Sequence, residues 1–500
     1  MVLAGGVDTL DPALTYTVDG WAILDTTCAR LMAYPDKPSP QGLRLMPEVA
    51  ATYPAASRNR RTWTFRLRSG FRFSNGKPVR ASAFARAIYR TLAPGITTAA
   101  AQYTRDIVGA KDVQAGKTTA VAGVRASGNR LVIRLNRAVP DFPARTTMPF
   151  FCAVPPDLPP DAEGRAVIPS AGPYLVSEYR PRQRAVIERN PFYGGKRPHH
   201  VTRFVVDLGA SSHEQVLDRI EAGTADWGSA SPSAFANPDR RLAKKYGING
   251  PQFYVRPGLR LRAFALNTSR RLFRNNPKLR QAVNFAVNRR AIRSQTLGLL
   301  GSTLTDQYLP RGIPGFADAP IYPLNGPALR KAKSLARGHT RSGKAVLYTF
   351  DAPQTLAIAQ IVRQNLAKIG IDVDVKGIPT AAYYSRLTTP NEAYDIAFSL
   401  FVPDYPDPFG IINLLLDGQF IGTVNYSRFD SPKYNQLLRK AALLRGPARY
   451  RAYGKLDVQV ARDAAPMIAV DNLNELTLVS KRVGCVVLRP AIDLTAVCLK

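Results

Sequence analysis

Apolar and polar residues alternate with a period of two in the early stretch WTFRLRSGFRF. Trp63, Phe65 and Leu67 fall on one face and Thr64, Arg66 and Arg68 on the other, which predicts a half-buried strand. Asn75-Gly76 then marks a turn. Ser82 is placed to cap a helix that lines up Phe84, Ile88 and Leu92. RLVIRL at 130–135 alternates again, and FCAVPPDLPPD at 151–161 reads as a Pro-rich linker. A second α/β region begins near residue 170. There AGPYLVSEYR, RAVIERNPFY and VTRFVVDL predict strands, and EQVLDRIEAG a helix ended by Gly223. After residue 257 the pattern restarts with LRLRAFALNTS, and Asn276-Pro277 opens a helix carrying Leu279, Val283 and Ala286.

The clearest helix–strand unit lies at 354–376. Leu356, Ile361, Leu366 and Ile369 suit one helical face, and Gly370 suits the position just past the helix end. Ile371, Val373 and Val375 then alternate with Asp372, Asp374 and Lys376 as a strand. Another strand, YDIAFSLF, runs into the turn-rich PDYPDPFG, and two late helices follow, the first opened by Ser431-Pro432. The pattern contains no internal repeat and is mixed α/β throughout. Nowhere do eighteen apolar residues run uninterrupted, so no membrane-spanning helix is predicted.

Composition narrows the class. Of 500 residues 45% are hydrophobic and 9% aromatic, ample for a sizeable core and against wholesale disorder. The net charge of +33 raises nucleic acid as a partner, because cations on phosphates release counterions. Arg far outnumbers Lys, however, and the charge is spread along the chain rather than gathered in one stripe. No helix-turn-helix, RNA-binding or zinc-finger signature accompanies it. No specific nucleic-acid partner is expected; attraction to an anionic envelope surface is the expected physical consequence. Cys28, Cys152, Cys485 and Cys498 form no CxxC pair, which argues against a zinc site or a thioredoxin-like motif. Their even number permits two disulfides in an oxidising compartment, and four free thiols fit a chain of this length equally well. MVLAGGVDTLDPA has no basic stretch before an apolar run, so the sequence itself contains no signal peptide.

Catalytic motifs fail on their own chemistry. GHTRSGKA at 338–345 has phosphate-loop spacing, but Ala345 replaces the hydroxyl that would hold Mg²⁺, and a strand rather than a helix follows. His199, His200, His213 and His339 lack the company a metal site requires. There is no GxSxG elbow. No catalytic residue, metal ligand or cofactor is expected. FVPDYPDPFG (401–410) is unusual: an acidic residue, aromatics and three prolines crowd the end of a strand. Proline fixes φ, so Asp404 could be held in place without helical or sheet pairing, although the loop alone favours a rigid connector with a solvated Asp.

The order and spacing of several blocks resemble the peptide/nickel-type solute-binding proteins of ABC importers, family 5. DTLDPA (8–13), LMPEVAATYPAASRNRRTWTFRLRSGFRFSNGKPVRASAFARAIYR, SAGPYLVSEYRPRQRAVIERNPFY, FALNTSRRLFRNNPKLRQAVNFAVNRRAI, YDIAFSLFVPDYPDPFG and YNQLLRKA carry the likeness over nearly the whole chain. The resemblance implies a two-lobed, periplasmic-binding-protein-like α/β fold (cluster C type) with an extra subdomain on the first lobe. It implies lobe I at 1–43, 163–256 and 472–500, the subdomain at 44–162 and lobe II at 257–471. Ligand would sit between the lobes and be enclosed by hinge closure.

The resemblance also implies an extracytoplasmic binding protein, not an enzyme. It would act as a monomer without cofactor, peripheral to the membrane and in some relatives lipid-anchored, and would serve an ABC permease and ATPase. The expected ligand is a short peptide, with Asp404 matching the residue that meets its α-ammonium and Phe401, Val402 and Tyr405 beside it. Phe401 stands where many relatives carry Trp. Tyr16 and Trp21 resemble a cleft-lining segment, and either reads equally as core. The alternatives are a non-peptide solute (a nickel chelate, an oligosaccharide or an opine-like compound) or a basic envelope or nucleic-acid interaction protein.

Overall fold

The computed structural model describes residues 1–3, 6–164, 166–210, 212–229, 238–295, 300–487 and 493–500. Its chain divides into two compact units. The first comprises 1–231, 246–254 and 477–500, and the second 232–245 and 255–476. The borders at 254/255 and 476/477 fall inside two long strands, β8 (Phe253–Leu266) and β12 (Met467–Val479).

In the first unit, helix α1 (Val18–Thr27) opens at Thr17, whose hydroxyl accepts the Gly20 amide. A four-stranded antiparallel sheet follows, in the order β1 (Ala55–Ala56), β2 (Thr62–Arg66), β4 (Arg130–Arg134), β3 (Val124–Ser127). The period-two pattern buries Trp63, Phe65, Leu131 and Ile133 on one face, where helix α2 (Ala81–Leu92) packs with Phe84, Ile88 and Leu92. The expected cap at Ser82 does not form. Arg80 occupies the cap position without a side-chain bond, and the Ala81 amide instead finds the Gly128 carbonyl. The expected linker at 151–161 begins at the end of a short helical turn, Pro149–Phe151. It is tied down at once by a Cys28–Cys152 disulfide, whose Cα atoms are 5.4 Å apart. Strands β5 (Tyr174–Arg180), β6 (Arg184–Arg189) and β7 (Arg203–Asp207) make an antiparallel meander. Helix α3 (His213–Glu221) follows, with Gly223 at φ +74° beyond it. Cys485 and Cys498 are also paired, so all four cysteines are in disulfides.

The second unit is built on a mixed sheet in the order β12, β8, β11 (Ile396–Phe401), β9 (Lys344–Phe350), β10 (Asp372–Ile378). β9 pairs in parallel with both β10 and β11, and β8 runs antiparallel to β11. Two parallel crossovers therefore leave the carboxyl ends of β9, β10 and β11 at one edge. The first crossover is α4 (Pro353–Ala367), whose buried face is centred on Ile358, Val362 and Leu366. Of the expected stripe Leu366 and Ile369 are buried, whereas Leu356 and Ile361 are only half-buried, Ile361 still packing against the core. Val373 turns into the core while Asp372, Asp374 and Lys376 are exposed, and Gly370 takes φ +82° just beyond the helix. Phe264, Leu279, Val283, Leu347, Ile396, Phe398 and Val470 close the core. Asn276 caps its helix by accepting the Leu279 amide. Among the described residues no helix is long and apolar enough to cross a membrane.

Candidate functional site

Strand β11 is central, with β8 and β9 on either side, so its residues are buried until it reaches the carboxyl edge of the sheet at Phe401. In sheets with parallel strands this edge is where ligands are commonly held, because loops there are free of the ladder and are positioned by it. The chain leaves as Val402-Pro403-Asp404-Tyr405-Pro406-Asp407-Pro408. Three prolines restrict it, and a dense set of contacts fixes it. The Asp407 amide donates to the Tyr405 carbonyl at 2.8 Å, and the Asp407 side chain accepts the Phe409 amide at 2.9 Å. Arg449, on helix α5 (Gly446–Gln459), reaches both Asp407 oxygens at 2.8 and 2.6 Å. That pair is 10% and 7% exposed, and burial alone would push the Arg449 pKa down. The Asp407 carboxylate more than offsets this and holds it above the ordinary arginine range. Arg449 also lies over the Tyr453 ring, whose hydroxyl donates to Asn413 at 2.7 Å.

The two aspartates of this loop are thus in different positions. Asp407 is buried and its charge is met by Arg449; Asp404 is half-buried one turn earlier. Phe401 is half-buried and pairs in register with Leu261, Val402 is 48% exposed, and Tyr405 is buried against Gly410. A Cβ at Gly410 would come 3.0 Å from the Tyr405 ring, so the glycine makes room for it. Asp407 and Arg449 were not singled out from sequence. Nothing local marks them, because Arg449 stands 42 residues away on another element.

Tyr16 and Trp21 belong to the first unit. Asp8 accepts the Tyr16 amide at 2.7 Å, the Thr15 hydroxyl at 2.7 Å and the Thr17 hydroxyl at 2.9 Å. Burial pushes the Asp8 pKa up, and these donors together outweigh it and hold it below the usual carboxylate range. Asp11 is clamped by Arg90 at 2.9 and 2.6 Å with both side chains buried. The DTLDPA block is therefore a pair of anchors for the segment that presents the aromatics. Tyr16 is 46% exposed and stacks on buried Phe150 at 6.2 Å; Trp21 meets Phe150 edge-on at 5.6 Å and donates to the Thr15 carbonyl. Phe150 in turn stacks on Tyr103.

The remaining candidates are structural. GHTRSGKA forms the turn that enters β9. His199 donates from Nδ1 to the Arg197 carbonyl at 3.0 Å. Asp25, Asp36 and Asp493 bring carboxylate oxygens within 4.8 Å of one another, but Arg197 bonds both Asp25 and Asp36 at 2.8 Å and Arg30 pairs with Asp25 at 2.7 Å. That is an ion-pair cluster with its cations already supplied.

The acidic loop thus lies at the carboxyl edge of a mixed sheet, where α/β proteins commonly hold ligands, in a chain whose four cysteines are all oxidised, as suits an oxidising compartment. The chain belongs to the bacterial extracellular solute-binding proteins, family 5, whose model matches residues 44–422. It is 24% identical over 499 residues to the probable D,D-dipeptide-binding periplasmic protein DdpA of Escherichia coli, covering 98% of this chain and 91% of that one. It is 25% identical over 417 residues to the periplasmic murein peptide-binding protein MppA of the same organism, covering 80% of this chain and 74% of that one. Among solved structures, clavulanic acid biosynthesis oligopeptide binding protein 2 superposes with a TM-score of 0.89 at 25% identity, over 100% of this chain and 94% of that one. The unliganded open form of MppA gives 0.80 at 21% identity over 100% and 97%. These relatives share the α/β fold expected from the sequence, and the family consists of binding proteins rather than enzymes.

Proposed function

We propose that this protein captures short peptides outside the cytoplasm and delivers them to an ABC permease and its ATPase, with Asp404 receiving the peptide's α-ammonium. The observation that carries the reading is the division of labour in the 401–410 loop. Asp407 is buried and neutralised by Arg449, which fixes the backbone from which half-buried Asp404 projects at the carboxyl edge of the sheet. A carboxylate held rigidly with part of its hydration removed favours a cationic guest, because a charge-assisted bond strengthens as water is excluded. Phe401 and Val402 would flank the peptide, with Tyr405 supporting the loop from beneath.

Relatives named for dipeptide, murein peptide and oligopeptide binding support the ligand class, and an OppA from Haemophilus influenzae was solved with the peptide RPPGFSPFR. Two disulfides support an oxidising, extracytoplasmic site of action. The working form would be a monomer held near the membrane, by a lipid anchor or by its transporter. Native mass spectrometry of protein purified without denaturation tests the proposal. The expected spectrum contains added masses that fragment into amino acids; a retained solute without a free amine would overturn it.

A further inference from the structure

The sheet β1-β2-β4-β3 has a second face, opposite the one that packs on α2, and it is basic to an extent that the linear sequence conceals. Cross-strand register places Arg66 directly opposite Arg130, Thr62 opposite Arg134, and Arg125 beside Val132. Arg66, Arg125, Arg130 and Arg134 are all exposed, and among the described residues none of them forms an ion pair. Among the described residues the side chains of this group make one hydrogen bond, from Arg134 to the Ala122 carbonyl at 3.1 Å. No acidic residue occurs between Glu48 and Asp106, nor anywhere in 124–134. Exposed Arg58 and Arg61, in the turn joining β1 to β2, extend the same charge.

Like charges directly opposite on an antiparallel pair destabilise it, and a glutamate at either position would remove the cost. Adjacent strands are about 4.8 Å apart, so the Arg66 and Arg130 guanidinia are spaced to share one phosphate through their paired N–H donors. We propose that this face docks on a membrane surface of anionic phospholipid headgroups, holding the receptor beside the bilayer that its transporter occupies. Among the described residues of its strands none on this face is aromatic, since Trp63 and Phe65 point into the core, so it offers no row of rings on which bases could stack. It also offers no helix to enter a groove, so nucleic acid is the poorer match.

The test is flotation of the full chain with vesicles of phosphatidylglycerol and phosphatidylcholine in equal parts, against phosphatidylcholine alone, at low and raised salt. Binding is expected only to the anionic vesicles and to weaken with salt. Each Arg near such a surface is worth about fivefold in partitioning, so R66T/R125T/R130T/R134T should lose a few hundredfold. R271T/R274T/K278T/K331T removes the same charge from exposed positions of the second unit and should lose far less. If the fourfold variant does not fold, Arg66→Thr and Arg130→Thr singly should each lose about fivefold. Absence of anionic-vesicle binding at low salt, equal loss in both fourfold variants, or binding of oligo-dT but not vesicles through these arginines would each overturn the proposal.

Discussion

Replacing Asp407 by Ala should leave the Arg449 guanidinium buried without a carboxylate. Two hydrogen bonds of 2.8 and 2.6 Å disappear from a pair that is 10% and 7% exposed, and the Phe409 amide loses its acceptor. Breaking one side of a buried pair costs about 3–5 kcal/mol, and the orphaned amide about 1 kcal/mol more. Asp407→Asn keeps the shape and the Phe409 contact and should lose less. Arg449→Met strands Asp407 instead and should cost about as much as Asp407→Ala. The double variant Asp407→Leu/Arg449→Met should recover most of the loss, because an apolar pair of similar volume escapes the desolvation both charges suffer. Urea unfolding of wild type and the four variants gives the free energies, and in a thermal scan each 1 kcal/mol is worth about 2–4 °C for a unit of this size. Single variants within 1 kcal/mol of wild type, or a double variant equal to the sum of its parts, would refute the view that this pair fixes the loop.

Three further outcomes follow from the same physics. The Cys28–Cys152 bridge spans 124 residues and Cys485–Cys498 spans 13, so the double Cys→Ser variants should lose about 5 and about 3 kcal/mol, read from urea midpoints; a reversed order would contradict the chain-entropy argument. Burial pushes the Asp106 carboxyl up, but Arg137 and Arg145 outweigh it and hold its pKa below the ordinary value. Its contribution is therefore complete above about pH 4 and is lost as pH falls through that lowered value, so Asp106→Asn should flatten the acid limb of the stability profile, and superimposable limbs would exclude it. Arg66→Glu should raise stability by about 0.2–1 kcal/mol at low salt by turning a repelling cross-strand pair into an attracting one; a drop would mean the two arginines do not repel.

Periodicity made the elements legible because it reports which face is buried whatever the tertiary partner. Trp63, Phe65 and Leu67 lie inside as the alternation requires, and so do Leu279, Val283 and Ala286. What the alternation does not contain is orientation set from outside. In α4 the expected Leu366 is buried, but Ile358 and Val362 rather than Leu356 and Ile361 complete the inward face, because what the sheet covers is set by packing and not by the helix alone. Ser82 loses the cap role because the β3–β4 turn supplies the Gly128 carbonyl from elsewhere. Within 401–410 the sequence marks a rigid acidic loop but not which aspartate is buried against an arginine, since that partner, Arg449, stands on a distant helix. The basic sheet face is hidden for the same reason: its arginines look scattered along the chain, and only strand register gathers them.

The role of Asp404 is open to a single calorimetric comparison: wild type and Asp404→Ala, each titrated with one short peptide and with its N-acetylated form. Truncation and acetylation should each weaken binding by about 2–5 kcal/mol, and acetylation should cost the variant almost nothing, because both changes remove the same contact. If the variant still prefers the free amine as strongly as wild type does, the ammonium is held elsewhere and the assignment of Asp404 fails.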